Sequence, residues 1–265
     1  MKSTIDTKVK MLHNEGKTAL EISRLLQTSK ANVWRIAKKL NLKFEGSGGK
    51  NRILNHNPFI DSDESWYWLG YLAADGNISK NKFNVSVVSK DIQHLLKFKT
   101  FVNADITEYY RDAKLILHFG NKDVYKYLQS LGFTPNKSLT LKMKCKINSA
   151  FLRGVIDGDG CYSKTRRTTH KITSGSEEFL KQLQEFLTCN NIDSTISIQQ
   201  NKINITYALR IYNRYSKKLY NLLYKNSTVH MDRKEIILRH AAEMLYSKSD
   251  EFRETPEVDN PELSL

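Results

Sequence analysis

Cysteine is scarce in this chain: Cys145, Cys161 and Cys189 are the only three in 265 residues. No two stand in C-x-x-C spacing, which argues against a disulfide framework or a zinc site and suits a reducing cytoplasm. Long apolar runs are also missing. None approaches the ~18 residues of a membrane span, and the N-terminus lacks the apolar core of a signal peptide. Acids are few, 28 against 42 Lys and Arg, giving a net charge of +14. That balance, with a pI near 9.5, favours a polyanionic partner, most often nucleic acid. No phosphate-loop or Ser-His-Asp pattern appears. The run D-G-D-G-C-Y at 157–162 suggests a calcium loop and fails as one. Cys161 stands where an acid or Asn is needed, Tyr162 replaces the glycine, and Thr168 replaces the terminal Glu. His118 and His170 are isolated and read as structural rather than as nucleophiles.

What is present is a short pattern that occurs twice. W-L-G-Y-L-A-A-D-G runs from Trp68 to Gly76, and L-R-G-V-I-D-G-D-G from Leu152 to Gly160. Each is an apolar helical run with a small residue at every fourth position, Gly70 and Ala74, then Gly154 and Gly158. Helices built this way can approach backbone to backbone. Each ends in Asp-Gly, and the glycine suits a left-handed helix cap. Side-by-side packing brings Asp75 and Asp159 together at two helix C-termini. Both the dipole and the neighbouring charge disfavour a carboxylate there, and a divalent cation would offset both penalties.

The two copies resemble the signature of the LAGLIDADG homing endonucleases, in the form with two repeats on one chain. The resemblance covers roughly Ser62 to His240. It implies a metal site at Asp75 and Asp159, the eighth letters, with the adjoining Ala74 and Gly158. The sixth letter is often Asp as well, which holds for Asp157 and not for Ala73; this reads as a loss of local hydrogen bonding, not of the metal site. The two copies lie 84 positions apart, and matching sequence follows each. S-K-D-I-Q-H-L-L from Ser89 corresponds to S-G-S-E-E-F-L from Ser174, as a duplicated αββαββα unit requires.

Hydrophobic residues, 40% of the chain, suffice for one large domain and a small one. Residues 1–43 read as a helix-turn-helix domain. Ile5, Val9 and Leu12 mark a first helix, and Thr18 caps a second with Leu20, Ile22, Leu25 and Leu26 apolar. Val33, Trp34, Ile36, Ala37 and Leu40 mark a third. The usual turn glycine is Gln27 here. Lys30, Asn32, Arg35 and Lys39 are placed to face a major groove; the competing reading is a plain three-helix packing module. Residues 44–61 read as a flexible basic linker, 62–146 as repeat one, 147–247 as repeat two, and 248–265 as an acidic, disordered tail. The segment 132–138 reads as a loop. Each repeat has strands alternating apolar and polar residues. The polar face holds candidates for groove contacts: Lys82, Asn84, Ser86, Arg166, Thr168, His170, Gln199, Asn204, Thr206 and Arg210.

The expected fold is α+β: two pseudo-symmetric αββαββα repeats forming a DNA-binding saddle, plus a small all-α helix-turn-helix domain. The resemblance implies a monomeric, site-specific DNA endonuclease that uses Mg²⁺, or Mn²⁺ in its place, on a long duplex target. It also implies a double-strand break with short 3′ overhangs. Lys142 and Lys234 are the candidates for polarising water or neutralising charge. The expected setting is the cytoplasm of a prokaryotic or phage-infected cell, or an organelle. The alternative within the same fold is a transcription regulator that has lost cleavage, or an intron-splicing helper; retention of both acids argues for cleavage.

Overall fold

The computed structural model describes residues 4–42, 44, 57–80, 83–102, 107–111, 113–120, 122–162, 169–200 and 205–251. Three short helices come first: α1 (Ile5–Asn14), α2 (Ala19–Leu25) and α3 (Lys30–Lys39). Thr18 and Glu21 form a reciprocal capping box at the start of α2, and Ser29 caps α3. Val9, Ala19, Ile22, Val33 and Ile36 make a small core of their own. The turn after α2 places Gln27 at φ 48°, a left-handed conformation that glycine would adopt without strain. Phe44, at the start of the expected linker, packs edge-on against His13 and Trp34. At its far end Phe59 is buried against Phe101 and Tyr127. The packed units therefore reach into both ends of the segment 44–61, whose glycine-rich centre lies outside the described residues.

The first repeat is α4 (Asp63–Asp75), β1 (Gly76–Ile78), β2 (Val85–Ser89), α5 (Ile92–Val102), β3 (Thr107–Arg111), β4 (Lys114–Phe119) and α6 (Lys122–Ser130). A single helical turn, α7 (Lys137–Thr140), begins at the end of the segment 132–138 read as a loop. The second repeat is α8 (Ser149–Asp159), β5 (Gly160–Tyr162), β6 (Thr169–Ser174), α9 (Glu177–Cys189), β7 (Ser194–Gln200), β8 (Ile205–Tyr212) and α10 (Ser216–Leu223). The closing helix α11 (Asp232–Glu251) continues four residues into the stretch read as a tail. Both sheets are antiparallel and share one topology, β1-β2-β4-β3 and β5-β6-β8-β7.

Alternation on the strands decides which sheet face meets the helices. Val85, Val87, Leu115, Leu117 and Phe119 are buried in the first sheet, and Ile172, Leu209 and Ile211 in the second. They join Trp68, Phe98, Phe151 and Leu183 in one continuous core beneath both sheets. The axis of that core is the α4–α8 pair. A methyl on Gly70 would stand 2.0 Å from the Phe151 carbonyl oxygen, and one on Gly154 2.0 Å from that of Tyr67. Only glycine permits this contact, and the two positions are related by the internal symmetry. The glycines that end the helices differ from expectation. Gly76 (φ −72°) and Gly160 (φ −68°) are extended, not left-handed. Crowding requires them: an added methyl would lie 2.5 Å from the Leu72 carbonyl oxygen or 2.3 Å from that of Ile156.

Candidate active site and nucleic-acid face

Asp75 and Asp159 terminate the paired helices α4 and α8. Near these ends a methyl on Gly158 would lie 3.6 Å from the Asp75 Oδ2, so the seam that joins the helices also joins the acids. Burial raises the pKa of the half-buried Asp75 above its ordinary value. Asp159 is pushed up to about 6, by its crowded surroundings first and by the charge of Asp75 second. The residue is nonetheless exposed. It opens into a hollow of about 170 Å³ lined in part by Ala73, Ala74, Lys137 and Thr206.

Two lysines answer the two acids. The buried Lys137 Nζ donates to the carbonyls of Ala73 and Ala74 at 2.6 and 2.9 Å, at the end of α4. Lys234 Nζ donates to the carbonyl of Gly160, at the end of α8. Both amines therefore sit at helix C-termini, where the dipole favours a cation. Burial lowers the Lys137 pKa to about 8, against the pull of Asp159 and Asp75, and burial lowers that of Lys234 as well.

Asp157 has a different task. Fully buried, it accepts hydrogen bonds from the Tyr67 hydroxyl (2.8 Å), the Tyr224 hydroxyl (2.5 Å) and the Met231 amide (2.7 Å). These donors favour its ionised form, while burial, the larger effect, raises its pKa. The Tyr67 oxygen also meets Nε2 of buried His94 at 2.7 Å. Since Tyr67 donates to Asp157, His94 Nε2 must donate to Tyr67, which fixes the ring as the Nε2–H tautomer. On the other side of α8, Arg153 is 2% exposed and donates to the carbonyls of Val229 and Leu223 and, at 2.5 Å, to Asp63. It ties α8 to the start of α4 and to the segment before α11.

Of the candidate lysines, Lys234 lies at the acids and Lys142 does not. Lys142 is solvent-exposed and pairs with Glu178 at 3.2 Å; the second lysine is Lys137. Of the groove candidates, Gln199, Thr206 and Arg210 share the outer face of the second sheet, where Arg210 donates to Ser197 at 2.9 Å. Ser86 lies on the outer face of the first, between Asn77 and His118, and Asn84 precedes it at the same parity. His170 does not belong with them. It faces the helices beside Ile211, buried and bonded to Ser216 Oγ at 3.1 Å, and burial lowers its pKa to about 4. Its neighbour Lys171 faces outward instead, paired in register with Cys161 and Arg210. Lys82, Arg166, Thr168 and Asn204 lie outside the described residues. On α3, Lys30 and Arg35 are exposed and Asn32 is half-buried. Asn32 receives a hydrogen bond from Arg35 and donates one to Thr28, and Lys39 is held by Asp6 at 2.8 Å.

Residues 146–223 match the profile of a LAGLIDADG-like domain. No curated protein matches the chain. Among solved structures, one of mesophilic variants of the homing endonuclease I-DmoI aligns over 70% of this chain and 100% of its own. It does so at 18% identity and a TM-score of 0.51. A double mutant of I-SmaMI aligns over 72% and 94%, at 12% identity and 0.49. The N-terminal LAGLIDADG domain of DUF199/WhiA aligns over 73% and 87%, at 14% and 0.42. The chain therefore carries the LAGLIDADG fold as two repeats on one polypeptide, with a LAGLIDADG-like domain matched at residues 146–223.

Proposed function

We propose that the protein is a metal-dependent, site-specific endonuclease of double-stranded DNA. The observation that carries this reading is the pairing of Asp75 with Asp159 at two helix ends, each beside an inward-reaching lysine. Two carboxylates and nearby backbone carbonyls are hard oxygen donors that suit Mg²⁺ or Mn²⁺. Among the described residues no third His, Cys, Asp or Glu joins them, so water and phosphate oxygens would complete the shell, as is usual for Mg²⁺. The raised pKa of Asp159 fits the same assignment, since a bound cation restores its ionised form. The chemistry such a cation supplies when bound is activation of the attacking water and charge stabilisation at the leaving oxygen.

The chain's own residues do the rest. Asp75 and Asp159 would hold the cation at the paired helix ends. Lys137 and Lys234 keep positive charge beside the reacting groups. The outer sheet faces, with Ser86, Lys171, Gln199, Thr206 and Arg210, lie along the duplex and read or position it. The three N-terminal helices add a second contact through Lys30 and Arg35, with residues 1–58 contributing nine Lys, three Arg and four acids, a net of +8. The protein acts as a monomer on a long target, in the cytoplasm or an organelle.

The test is incubation with a randomised duplex library in Mg²⁺, followed by sequencing of the cleaved ends. Recovery of a common site with paired breaks, lost in EDTA and in Asp75→Asn and Asp159→Asn, supports the reading. Binding of a site without cleavage of it would assign a regulator instead.

A further inference from the structure

The two lysines reach their acids by an exchange between the repeats. Lys137 follows repeat one in the chain, and its amine ends on repeat one's own motif helix α4. The arm that carries it, residues 137–145, is held by repeat two. Ser176, the cap of α9, donates to the Leu141 carbonyl at 2.6 Å, one helical turn from Lys137, whose carbonyl accepts from the Leu141 amide. Gln182 grips the Met143 backbone with bonds of 2.9 and 2.8 Å. Lys234 follows repeat two and ends on α8 of repeat two, yet its arm is held by repeat one. Arg233, next to Lys234, makes a two-pronged bond to Asp91 at 2.6 and 2.7 Å. Lys97 on α5 reaches Asp232 at 2.9 Å and the His230 carbonyl at 3.3 Å.

The two latches are internal equivalents. The Asp91 amide donates to Ser89 Oγ at 3.1 Å, and the Ser176 amide donates to Ser174 Oγ at 3.1 Å. Both residues stand at the entrance to the first helix after the motif hairpin. They use different chemistry, a carboxylate for a guanidinium and a hydroxyl for a carbonyl, to the same end.

We propose that Asp91 and Ser176 are positioning residues that act through the lysines, each locking from one repeat the arm that delivers a lysine to the other repeat's motif helix. The inference rests on the nuclease reading only for its effect on cleavage; the arms themselves are tested without DNA. Trace acetylation of the free full-length protein, read peptide by peptide by mass spectrometry, reports how open each lysine amine is. Asp91→Asn and Arg233→Gln should raise labelling of Lys234 about tenfold and leave Lys137 within about twofold, since only one arm opens. Ser176→Asp keeps the helix cap while removing the donor to Leu141, and should do the reverse; Ser176→Ala is the second variant should the first fold poorly. The exchange Asp91→Arg with Arg233→Asp should restore Lys234 protection. Equal labelling of both lysines in every variant, or no change in either, overturns the proposal whether or not the protein cuts DNA.

The second arm uses strand-labelled duplex carrying the selected site. The Asp91 and Arg233 variants should slow the strand slowed by Lys234→Met, and the Ser176 variants that slowed by Lys137→Met. Each should act by about tenfold, the scale expected for groups that orient a reacting residue. Loss of both strands together argues against positioning. If the unmutated protein cuts nothing while the labelling pattern holds, the nuclease reading fails and the latches stand.

Discussion

Replacing Gly154 by alanine tests the seam on which the acids depend. The new methyl would lie 2.0 Å from the Tyr67 carbonyl oxygen and 2.6 Å from the Tyr71 amide nitrogen, both backbone atoms. A close C···O contact needs about 3.3 Å, so α4 and α8 must part locally by about 1.3 Å. A gap of about 0.5–1 Å forfeits a quarter to a half of each dispersion contact, itself about 0.1–0.2 kcal/mol. Taking as a scale about 40 such contacts, the number one buried Leu makes, the loss is about 2 kcal/mol. Alanine's better helix propensity returns up to about 1 kcal/mol, and residual overpacking adds about 1–3 kcal/mol. The net expectation is a destabilisation of about 2–5 kcal/mol, larger still for Gly154→Leu. The symmetric Gly70→Ala meets the Phe151 oxygen at the same 2.0 Å and should cost a similar amount. Because one parting of the helices relieves both clashes, the double variant should cost clearly less than the sum of the two. Urea denaturation of the three variants, with midpoints read at constant slope, measures this. An unchanged midpoint for Gly154→Ala, or strict additivity, refutes backbone contact as the determinant of the seam.

Asp75→Asn and Asp159→Asn should each abolish double-strand cleavage while retaining DNA binding, measured as nicked and linear product against gel-shift affinity. Asp159 binds its proton more tightly folded (about 6) than at the ordinary value of 3.8. Its contribution to metal-free stability is therefore full below pH ~4 and lost as pH rises through about 6; denaturation in EDTA across this range should show the fall, and Asp159→Asn should flatten it. The same titration makes Mn²⁺ affinity drop steeply from pH 7 to 5, readable by calorimetry. Arg153→Leu leaves two buried carbonyls without their donor, at about 1–3 kcal/mol each, while the partly exposed Asp63 keeps Thr228 as a donor. A loss of about 2–6 kcal/mol is expected by denaturant titration, and one under about 1 kcal/mol would refute that tie. Gln27→Gly relieves a left-handed residue, worth about 1–2 kcal/mol, and gives back about 0.5–1 kcal/mol in chain entropy. A small rise in the melting temperature of the N-terminal transition is expected, and a fall would contradict the strained turn.

The motif helices were legible because their determinants are local. Small residues four apart define a helix face, and the closing Asp-Gly marks its end. The strands were legible from alternation, but their phase was less secure. Sequence alternation alone puts His170 on the outer face, and a slip of one residue reverses every side chain; the register with Ile211 sets it inside and leaves Lys171 outside. Lys137 was not legible, because it arrives on an arm. It follows Asp75 by 62 positions, whereas Lys234 follows Asp159 by 75, so comparison of the repeats does not align them. Asp157 was singled out from the motif, but its partners Tyr67, Tyr224 and Met231 lie 90, 67 and 74 positions away. Arg153 stands within an apolar run, which marks it for burial, but its partners Val229, Leu223 and Asp63 lie 76, 70 and 90 positions away.

The unequal chemistry of the two latches has a consequence for how such a chain descends from, or could be divided into, halves. A pair of first repeats would set the Asp91 carboxylate against the Leu141 carbonyl, two acceptors with no proton between them. A pair of second repeats would set Arg233 against Ser176, stranding a guanidinium without its carboxylate. Only the mixed pair satisfies both junctions. The two halves, produced as separate polypeptides, should choose each other over themselves, so duplication followed by divergence at positions 91 and 176 would have turned an interchangeable partnership into a preferential one.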